Sequence, residues 1–311
     1  MLSRTADHLY WMSRYLERAE NVARMIDAHQ RLSLLPRTAE AVMQGWQATL
    51  VSLGVADAFF DRHDSPTARP AFDFLAFDRQ HPGSIVQCLR AARENARAVR
   101  GTITSDVWET LNSTYLESLA FTEKVPESAR GEFLEWVRYR AHLIRGVISA
   151  TLLRDEAHCF TRIGTFIERA DNTTRLLESR WRDPGGGGER LRAEASEWAV
   201  LLRAMSAFEV FRRLYRDSVT PQRVTEMLLM RDDLPQSVHR CLDELQSGLA
   251  AVANSRSDET CRRVGELHAR FHYGRFEDFV AEGLPQFLDR FQVRLRELGV
   301  RIADDFLVPA S

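Results

Sequence analysis

Apolar side chains recur every three to four residues along most of the chain, and no convincing stretch alternates apolar and polar residues as a strand does. This periodicity is typical of amphipathic helices. It predicts an all-α protein of roughly ten helices with no sheet. The predicted helices run, in chain order, over about 3–35, 38–60, 82–100, 106–122, 126–153, 155–181, 189–217, 221–230, 235–253, 258–273 and 276–306.

Proline, glycine and short polar residues predict the breaks between these helices. Pro36 ends the first helix, and residues 63–70 read as a loop. The Asp-Pro-Gly-Gly-Gly-Gly run at 183–188 is the clearest flexible linker. Pro82 and Pro235 are expected in the first turn of the helices that follow them, with Ser84 and Ser237 satisfying first-turn N–H groups.

The same motif occurs twice in the chain. Residues 15–24 and 166–175 share Glu-Arg-Ala, a following Asn and a final Arg at an offset of 151 residues. Further matching pairs follow in the same order, and the offset between their residue numbers grows slowly. The pairs are Trp46 with Trp198, residues 82–89 with 235–242, and Phe133 with Phe287. Such a slow drift indicates duplication with small loop insertions. We therefore predict two diverged tandem copies of a helical unit, 1–154 and 155–311, packed with pseudo-two-fold symmetry in one compact domain.

The repeated motif places charged residues on a helix that also has apolar faces. Side chains three and four residues apart share a face. The residues concerned are Arg14, Glu17, Arg18, Asn21 and Arg24 in the first copy, and Glu168, Arg169, Asn172 and Arg175 in the second. One interpretation is structural: the glutamates pair with arginines of their own or the sister copy and fix how the halves dock. The other is functional: the same groups line a cleft that grips a carboxylate, a phosphate or a peptide.

A second charged stretch follows in the first copy only. One face of the first motif helix carries Tyr10, Arg14, Glu17, Asn21 and Arg24, the Glu17 stripe. Arg93, Glu94 and Arg97 are candidates for a binding face if they approach this stripe. The alternative is a solvated charged face. The second copy has Gln246, Ser247 and Gly248 there instead, so the feature is asymmetric.

Composition narrows the possible chemistry. The formal net charge of −2 gives no overall attraction to nucleic acid, and no apolar run is long enough to span a membrane. Lys124 is the only lysine, and no Gly-Lys pair exists to form a phosphate-binding loop. His268 and His272 share a helix face, but no third ligand is identifiable, so neither a metal nor another cofactor is expected.

The cysteines indicate a structural role and a reducing environment. They are far apart and form no Cys-x-x-Cys pair. Cys88 and Cys241 are expected to pack as small apolar residues, with a reactive thiol as the alternative. Because no leader pattern precedes the first helix, a cytoplasmic location is expected.

Four segments resemble a known family. Residues 9–24, 92–97, 108–112 and 167–175 are similar to the Alpha-E family, bacterial all-helical proteins named for a repeated Glu-Arg signature. Members are encoded beside, or fused to, a circularly permuted ATP-grasp protein, often with a transglutaminase-like protease nearby. The resemblance thus implies a role in a system that makes peptide or amide bonds. Gly164 and Thr165 depart from the Ser13 and Arg14 of the first copy, which puts a symmetric pair of sites in doubt.

Together these observations favour a partner or accessory subunit, non-catalytic or co-catalytic, of an ATP-grasp peptide or amide ligase. It would bind the ligase, or its anionic or peptide substrate, through the Glu-Arg helices. Whether the chain itself catalyses a reaction stays open. One alternative is an independent enzyme acting on an anionic substrate between the two repeats, and another is a purely structural adaptor.

Overall fold

Helix is the only regular secondary structure in the computed structural model, which describes residues 1–33, 38–121, 125–181 and 188–308. This confirms the predicted all-α class. Pro36 and most of the glycine-rich linker lie outside the described residues. The helices are α1 Ser3–Ser33, α2 Ala39–Ser52, α3 Ala56–Phe60, α4 Ala68–Ala76, α5 Ile85–Ala98, α6 Ser105–Ser118, α7 Glu127–Thr151, α8 Glu156–Trp181, α9 Gly188–Ala204, α10 Phe208–Tyr215, α11 Pro221–Met230, α12 Val238–Ala251, α13 Asp258–His272, α14 Phe276–Ala281 and α15 Leu284–Phe306.

The described ranges hold more helices than the roughly ten predicted, because several predicted helices are broken. Gly54, Ser206 and Gly283 adopt positive φ angles of 70°, 52° and 88° and interrupt the predicted spans 38–60, 189–217 and 276–306. This left-handed conformation cannot continue a right-handed helix. The helix α4 was not predicted; it forms where a loop was expected to end, and it buries Phe72 in the core.

Serine side chains cap α5 and α12 as predicted. The Ser84 hydroxyl accepts a hydrogen bond from the Gln87 amide, and Ser237 does the same for the Arg240 amide. The prolines, however, are not in the first turns. Pro82 and Pro235 lie in the turns that precede the two helices, because each serine caps its helix two residues after the proline.

Two long helices, α1 and α8, pack against each other at the centre of the fold. Around them, α1 contacts α5, α7 and α9, and α8 contacts α12, α15 and α2. Gly164 of α8 lies against the backbone of α1, where an added Cβ would come within 2.2 Å of the Tyr10 carbonyl oxygen. A glycine at this point therefore lets the two helix backbones approach closely.

One hydrophobic cluster runs from Ala6 to Leu307 and includes side chains from both halves of the sequence. Because α1 and α8 are surrounded on several sides, even polar side chains on them become buried. In the described part of the chain, no helix has the length and apolar character to cross a membrane.

Candidate functional site

The two Glu-Arg motifs meet where α1 crosses α8, and each motif pairs with the other. Arg18 donates from Nε to Glu168 Oε1 at 2.7 Å and from Nη2 to Oε2 at 3.1 Å. Arg169 donates from Nε to Glu17 Oε1 at 2.7 Å and from Nη2 to Oε2 at 3.0 Å. The two motifs thus form reciprocal bidentate ion pairs, the geometry that an arginine fork favours.

Burial explains why these carboxylates need partners. Glu168 is 2% exposed and Glu17 is 6% exposed, and an unpaired charge at such a position is strongly unfavourable. Burial alone would raise the pKa of Glu168, but the charges and hydrogen bonds of Arg14 and Arg18 outweigh it, so the pKa is lowered. The Glu168 carboxylate therefore stays ionised beside Arg14 and Arg18.

Two further arginines join the pairs. Arg14 donates from Nε to Glu168 Oε2 at 2.7 Å and from Nη1 to the Tyr10 hydroxyl at 3.2 Å. Arg145 of α7 donates to Glu17 Oε2 at 3.2 Å and also pairs with Glu20. Each motif glutamate therefore contacts two arginines.

The last arginine of each motif pairs with an acidic residue one turn earlier. Arg24 pairs with Glu20, and Arg175 Nε lies 2.8 Å from Asp171 Oδ2. Burial would raise the pKa of Glu20, but a hydrogen bond from His142 and nearby arginine charges hold it well below the ordinary value. Together the network contains more arginines than carboxylates: Arg14, Arg18, Arg24, Arg145, Arg169 and Arg175 against Glu17, Glu20, Glu168 and Asp171.

The surroundings of the two motif arginines differ. Arg169 donates its remaining Nη1 to the Pro235 carbonyl at 3.1 Å, and its side chain is only 9% exposed. Thr173 closes the same side by donating to the Gln236 carbonyl at 2.9 Å. Arg18, with a side chain 31% exposed, has no hydrogen bond from Nη1 to any described residue. All three guanidinium nitrogens of Arg169 thus have hydrogen-bond partners, whereas Arg18 Nη1 has none among the described residues.

The same difference recurs at the last arginines. Arg24 donates to the Ala204 carbonyl at 3.2 Å and to the Ser206 hydroxyl. Gly54 precedes Ser206 by 152 residues and also has a positive φ, but it has no side chain to accept such a bond. Arg175 reaches Gly54, where an added Cβ would lie 2.4 Å from Nη1. Within the described chain, its two Nη groups have no hydrogen-bond partner.

These free donors face a cavity of about 290 Å³ between α1, α8 and the turns that follow α2 and precede α5. Its size suits a small ligand or the end of a chain rather than a whole protein surface. The lining residues are Arg18, Asn21, Val22, Leu53, Gly54, Val55, Leu75, His81, Pro82, Gly83, Glu168, Asp171, Asn172 and Arg175.

Three buried polar atoms in this lining have no hydrogen-bond partner among the described residues. They are Asn172 Nδ2, Asp171 Oδ1 and His81 Nε2. Burial lowers the pKa of His81, and the nearby Asp78 carboxylate only partly offsets this, so its imidazole is favoured in the neutral form. The cavity thus offers hydrogen-bond donors from arginine and asparagine beside an acceptor from Asp171.

Not every residue singled out from the sequence reaches this cavity. Arg93 pairs with Glu94, and its Nε donates to Asn112 of α6 at 3.1 Å. Arg97 Nη2 lies 2.7 Å from Glu94 Oε2. None of these three residues forms an ion pair or hydrogen bond with the Glu17 stripe in the described structure. They belong to a charged face towards α6 and solvent.

Sequence reasoning did not identify four residues that contribute to the network and the cavity: Glu20, His81, Arg145 and Asp171. Arg145 and His81 lie far from the motifs in sequence, so no local spacing pointed to them. Glu20 and Asp171 occupy the same position in the two motifs, which was a usable signal. The lone lysine, Lys124, lies outside the described residues.

Cys88 and Cys241 are fully buried, as predicted for packing cysteines. Burial raises the pKa of each thiol to about 12. Each sits beside one of the ion pairs, with Arg18 near Cys88 and Arg169 near Cys241. Because a thiolate is the reactive form of cysteine, these residues act as packing groups.

The sequence matches one family over residues 1–307: Alpha-E, "a predicted alpha-helical domain with a conserved ER motif". It is also similar to uncharacterized proteins of Mycobacterium bovis and of Mycobacterium tuberculosis strain CDC 1551, each 28% identical over 90% of this chain. A counterpart from strain H37Rv is 27% identical over the same share. The chain spans about a third of these relatives, because the match covers 34% of each. No solved structure matches the chain.

Proposed function

This chain belongs to the Alpha-E family, and from that premise we propose that it is an accessory module of an ATP-grasp peptide or amide ligase system. In this proposal the central cavity binds an anionic, peptide-like ligand, and the reciprocal Glu-Arg pairs hold the cavity walls in place. The observation that carries it is the asymmetry of the network. Arg18 and Arg175 keep free donors at the cavity, whereas Arg24 and Arg169 have theirs satisfied.

The unpartnered arginine donors at the cavity favour an anion. Arg18 and Arg175 are paired with Glu168 and Asp171, which also line the cavity, but each arginine keeps N–H groups that no described residue accepts. A carboxylate or phosphate oxygen there would receive charge-assisted hydrogen bonds, which are stronger than neutral ones. Asn21 and Asn172 can add neutral donors.

The acceptor Asp171 narrows the ligand class. Its Oδ1 is buried and unpartnered, so a ligand that carries an N–H group would satisfy it. A carboxylate for the arginines together with an N–H for Asp171 is the combination found in an amino acid or a peptide. Inorganic phosphate would supply anionic oxygens for the arginines but no N–H group for Asp171.

The cavity supports binding more than covalent catalysis by this chain. Among the described residues that line it there is no serine, cysteine or lysine to act as a nucleophile. His81 and Asp171 are the lining groups on which the alternative, an independent enzyme, would depend for acid-base chemistry. A purely structural adaptor would account for the ion pairs but not for the unsatisfied donors.

We also propose that the chain arose by duplication of a unit that spans 1–154 and 155–311. Equivalent contacts recur across the two segments: α5 packs on α1 as α12 packs on α8, and α7 packs on α1 as α15 packs on α8. The Ser84 hydroxyl donates to the Asp78 carbonyl, and Ser237 donates to Arg231, each six residues earlier. Reciprocal pairing of the motifs is what a pseudo-two-fold axis between α1 and α8 would produce.

The partnership with an ATP-grasp protein rests on family resemblance and on the length of the relatives. About two thirds of each mycobacterial relative lies outside the matched segment. That is the arrangement expected of a module that works beside another catalytic unit. A transglutaminase-like protease is a further candidate partner on the same resemblance.

Ligand binding is tested by calorimetric titration of the purified chain with the dipeptide glutamyl-glutamate. Its counterpart glutaminyl-glutamine amide keeps the α-amino group but has no carboxylate, so it tests whether the carboxylates matter. We expect the anionic dipeptide to bind and the carboxylate-free one to bind at least about tenfold more weakly, since a hydrogen bond to a charged group contributes about 1.5–3 kcal/mol. Equal binding of both peptides, or binding of neither, would refute the anion site.

Two variants locate the site. Arg175→Gln removes a free donor, and Gly54→Ser supplies a hydroxyl like that of Ser206, so both should abolish the preference for the anionic dipeptide. The matched control is Arg31→Gln, because Arg31 also pairs with an aspartate four residues earlier but does not line the cavity. A loss in the control as large as in Arg175→Gln would contradict the assignment.

The partnership is tested by co-purifying the chain with the ATP-grasp protein encoded nearest to it and measuring ATP hydrolysis with and without the chain. We expect a stable complex with altered turnover, and an effect of Arg175→Gln on turnover that the control does not show. No complex and unchanged turnover would refute the accessory role, even if the dipeptide binds.

A further inference from the structure

Four potential metal ligands converge between α12 and α13, away from the central cavity. They are His239, Asp243, His268 and His272, and one ligand atom from each lies within 4.8 Å of the others. The sequence offered only the pair on α13 and no third ligand. The fold places an i,i+4 pair from α12, His239 and Asp243, against it.

His239 is oriented as a metal-ligating histidine usually is. Its Nδ1 lies 2.9 Å from the Met230 carbonyl oxygen, which accepts only from a protonated nitrogen, so in the neutral imidazole Nε2 carries the lone pair. That Nε2 is buried and has no hydrogen-bond partner in the described structure, and the residue is 7% exposed. A backbone carbonyl that fixes the ring and leaves the other nitrogen free is a common second-shell arrangement around a metal.

The remaining ligands surround that free nitrogen. Asp243 Oδ1 lies 3.7 Å from His239 Nε2 and accepts a hydrogen bond from His268 Nε2 at 2.7 Å, so it sits between the two rings, and a metal that binds His268 Nε2 would displace the proton of that bond. The His268 and His272 rings stack with their centroids 5.1 Å apart. Ligand atoms around a tetrahedral zinc ion are about 3.3–3.6 Å apart, as its bond lengths of about 2.0–2.2 Å imply. Side-chain adjustments of about 1 Å would bring the four groups to that spacing.

We propose that these four residues form a binding site for a divalent transition metal, with zinc as the best match. Three imidazole nitrogens and one carboxylate oxygen suit zinc, cobalt or nickel, whereas calcium and magnesium prefer oxygen ligands. Four protein ligands complete a tetrahedral set, as in structural zinc sites. The ion would tie α12 to α13, and it would do so independently of the ligand in the central cavity, since none of the four residues lines that cavity.

The test is calorimetric titration with zinc chloride of the untagged, chelator-treated full chain. Binding of cobalt chloride, followed by its visible absorption spectrum, reports the ligand geometry. We expect one equivalent of zinc, a tetrahedral cobalt spectrum and a higher melting temperature with zinc, because a ligand that binds the native state stabilises it.

The informative variants are His272→Gln and Asp243→Asn. These two residues are the most exposed of the four ligands, so their replacement leaves the hydrophobic core intact. His158→Gln is the matched control, because His158 is a partly buried helix histidine outside the cluster. Loss of a ligand should weaken zinc binding at least as much as loss of an outer-shell partner does, about 10- to 100-fold. The control should bind as the wild type does. Absence of zinc binding to the wild type, or equal binding by all four proteins, would overturn the proposal.

Discussion

Replacement of Glu168 by glutamine isolates the contribution of one buried charge to the stability of the fold. The Glu168 carboxylate accepts three hydrogen bonds, one from Arg14 and two from Arg18. Glutamine keeps the size of the side chain but removes its charge and one acceptor. Two guanidinium groups then remain at the crossing of α1 and α8 without their counter-ion.

The expected loss of unfolding free energy follows from the burial of these groups. Removal of one partner of a buried ion pair typically costs about 3–5 kcal/mol. Arg14 and Arg18 keep some access to solvent, so we expect the lower end, about 3 kcal/mol. Glu17→Gln should cost more, towards about 5 kcal/mol, because its partner Arg169 is almost fully enclosed.

The assay is equilibrium unfolding in urea, followed by far-ultraviolet circular dichroism, with the m-value compared between proteins. Glu259→Gln is the matched control: Glu259 also pairs with two arginines, Arg262 and Arg263, but on the surface. We expect no measurable change there. If Glu168→Gln lost less than about 1 kcal/mol, or no more than the control, the ion pairs would not secure the helix crossing as argued.

Three further predictions follow from the same structure. Because the pKa of Glu168 is lowered in the folded protein, its contribution to the free energy of unfolding is fully present above the ordinary pKa of 4.5 and declines as the pH falls below it. Urea unfolding across that pH range should therefore show a smaller acid-induced loss of unfolding free energy in Glu168→Gln than in the wild type. An equal loss in the two proteins would contradict this. Cys88 and Cys241, each with a pKa raised to about 12 by burial, should resist a thiol reagent in the native protein and react after unfolding; rapid native labelling, located by mass spectrometry, would show that they are accessible. Gly164→Ala should destabilise the fold by about 1–3 kcal/mol, because its methyl group would meet the backbone of α1. The control Gly146→Ala has open space and should be neutral or stabilising in the same urea assay.

Much of the local structure was readable from the sequence. The helix class followed from periodicity, and the caps at Ser84 and Ser237 followed from side-chain chemistry. Helix breaks were predicted less well. Ser206, for example, adopts a left-handed conformation that a serine does not predict. Helix α4 was missed altogether, since its polar N-terminal flank resembles the loop before it.

The candidate site was only half predictable. The cost of a buried charge required partners for Glu17 and Glu168, and the sequence correctly limited those partners to arginine. It could not indicate that Arg18 would keep a free donor while Arg169 would not. That difference depends on the Pro235 carbonyl, which is 66 residues away from Arg169 in the chain.

The sequence by itself determined the all-helical class and most of the helical segments, which helix faces carry charge and that those charges must be compensated. These properties depend on neighbours within a few residues, which local spacing describes. Only the tertiary structure decided which arginine meets which glutamate, where the cavity opens and that His239 and Asp243 join the histidines of α13. Such contacts depend on where helices distant in sequence cross, and that is fixed by how the whole core packs.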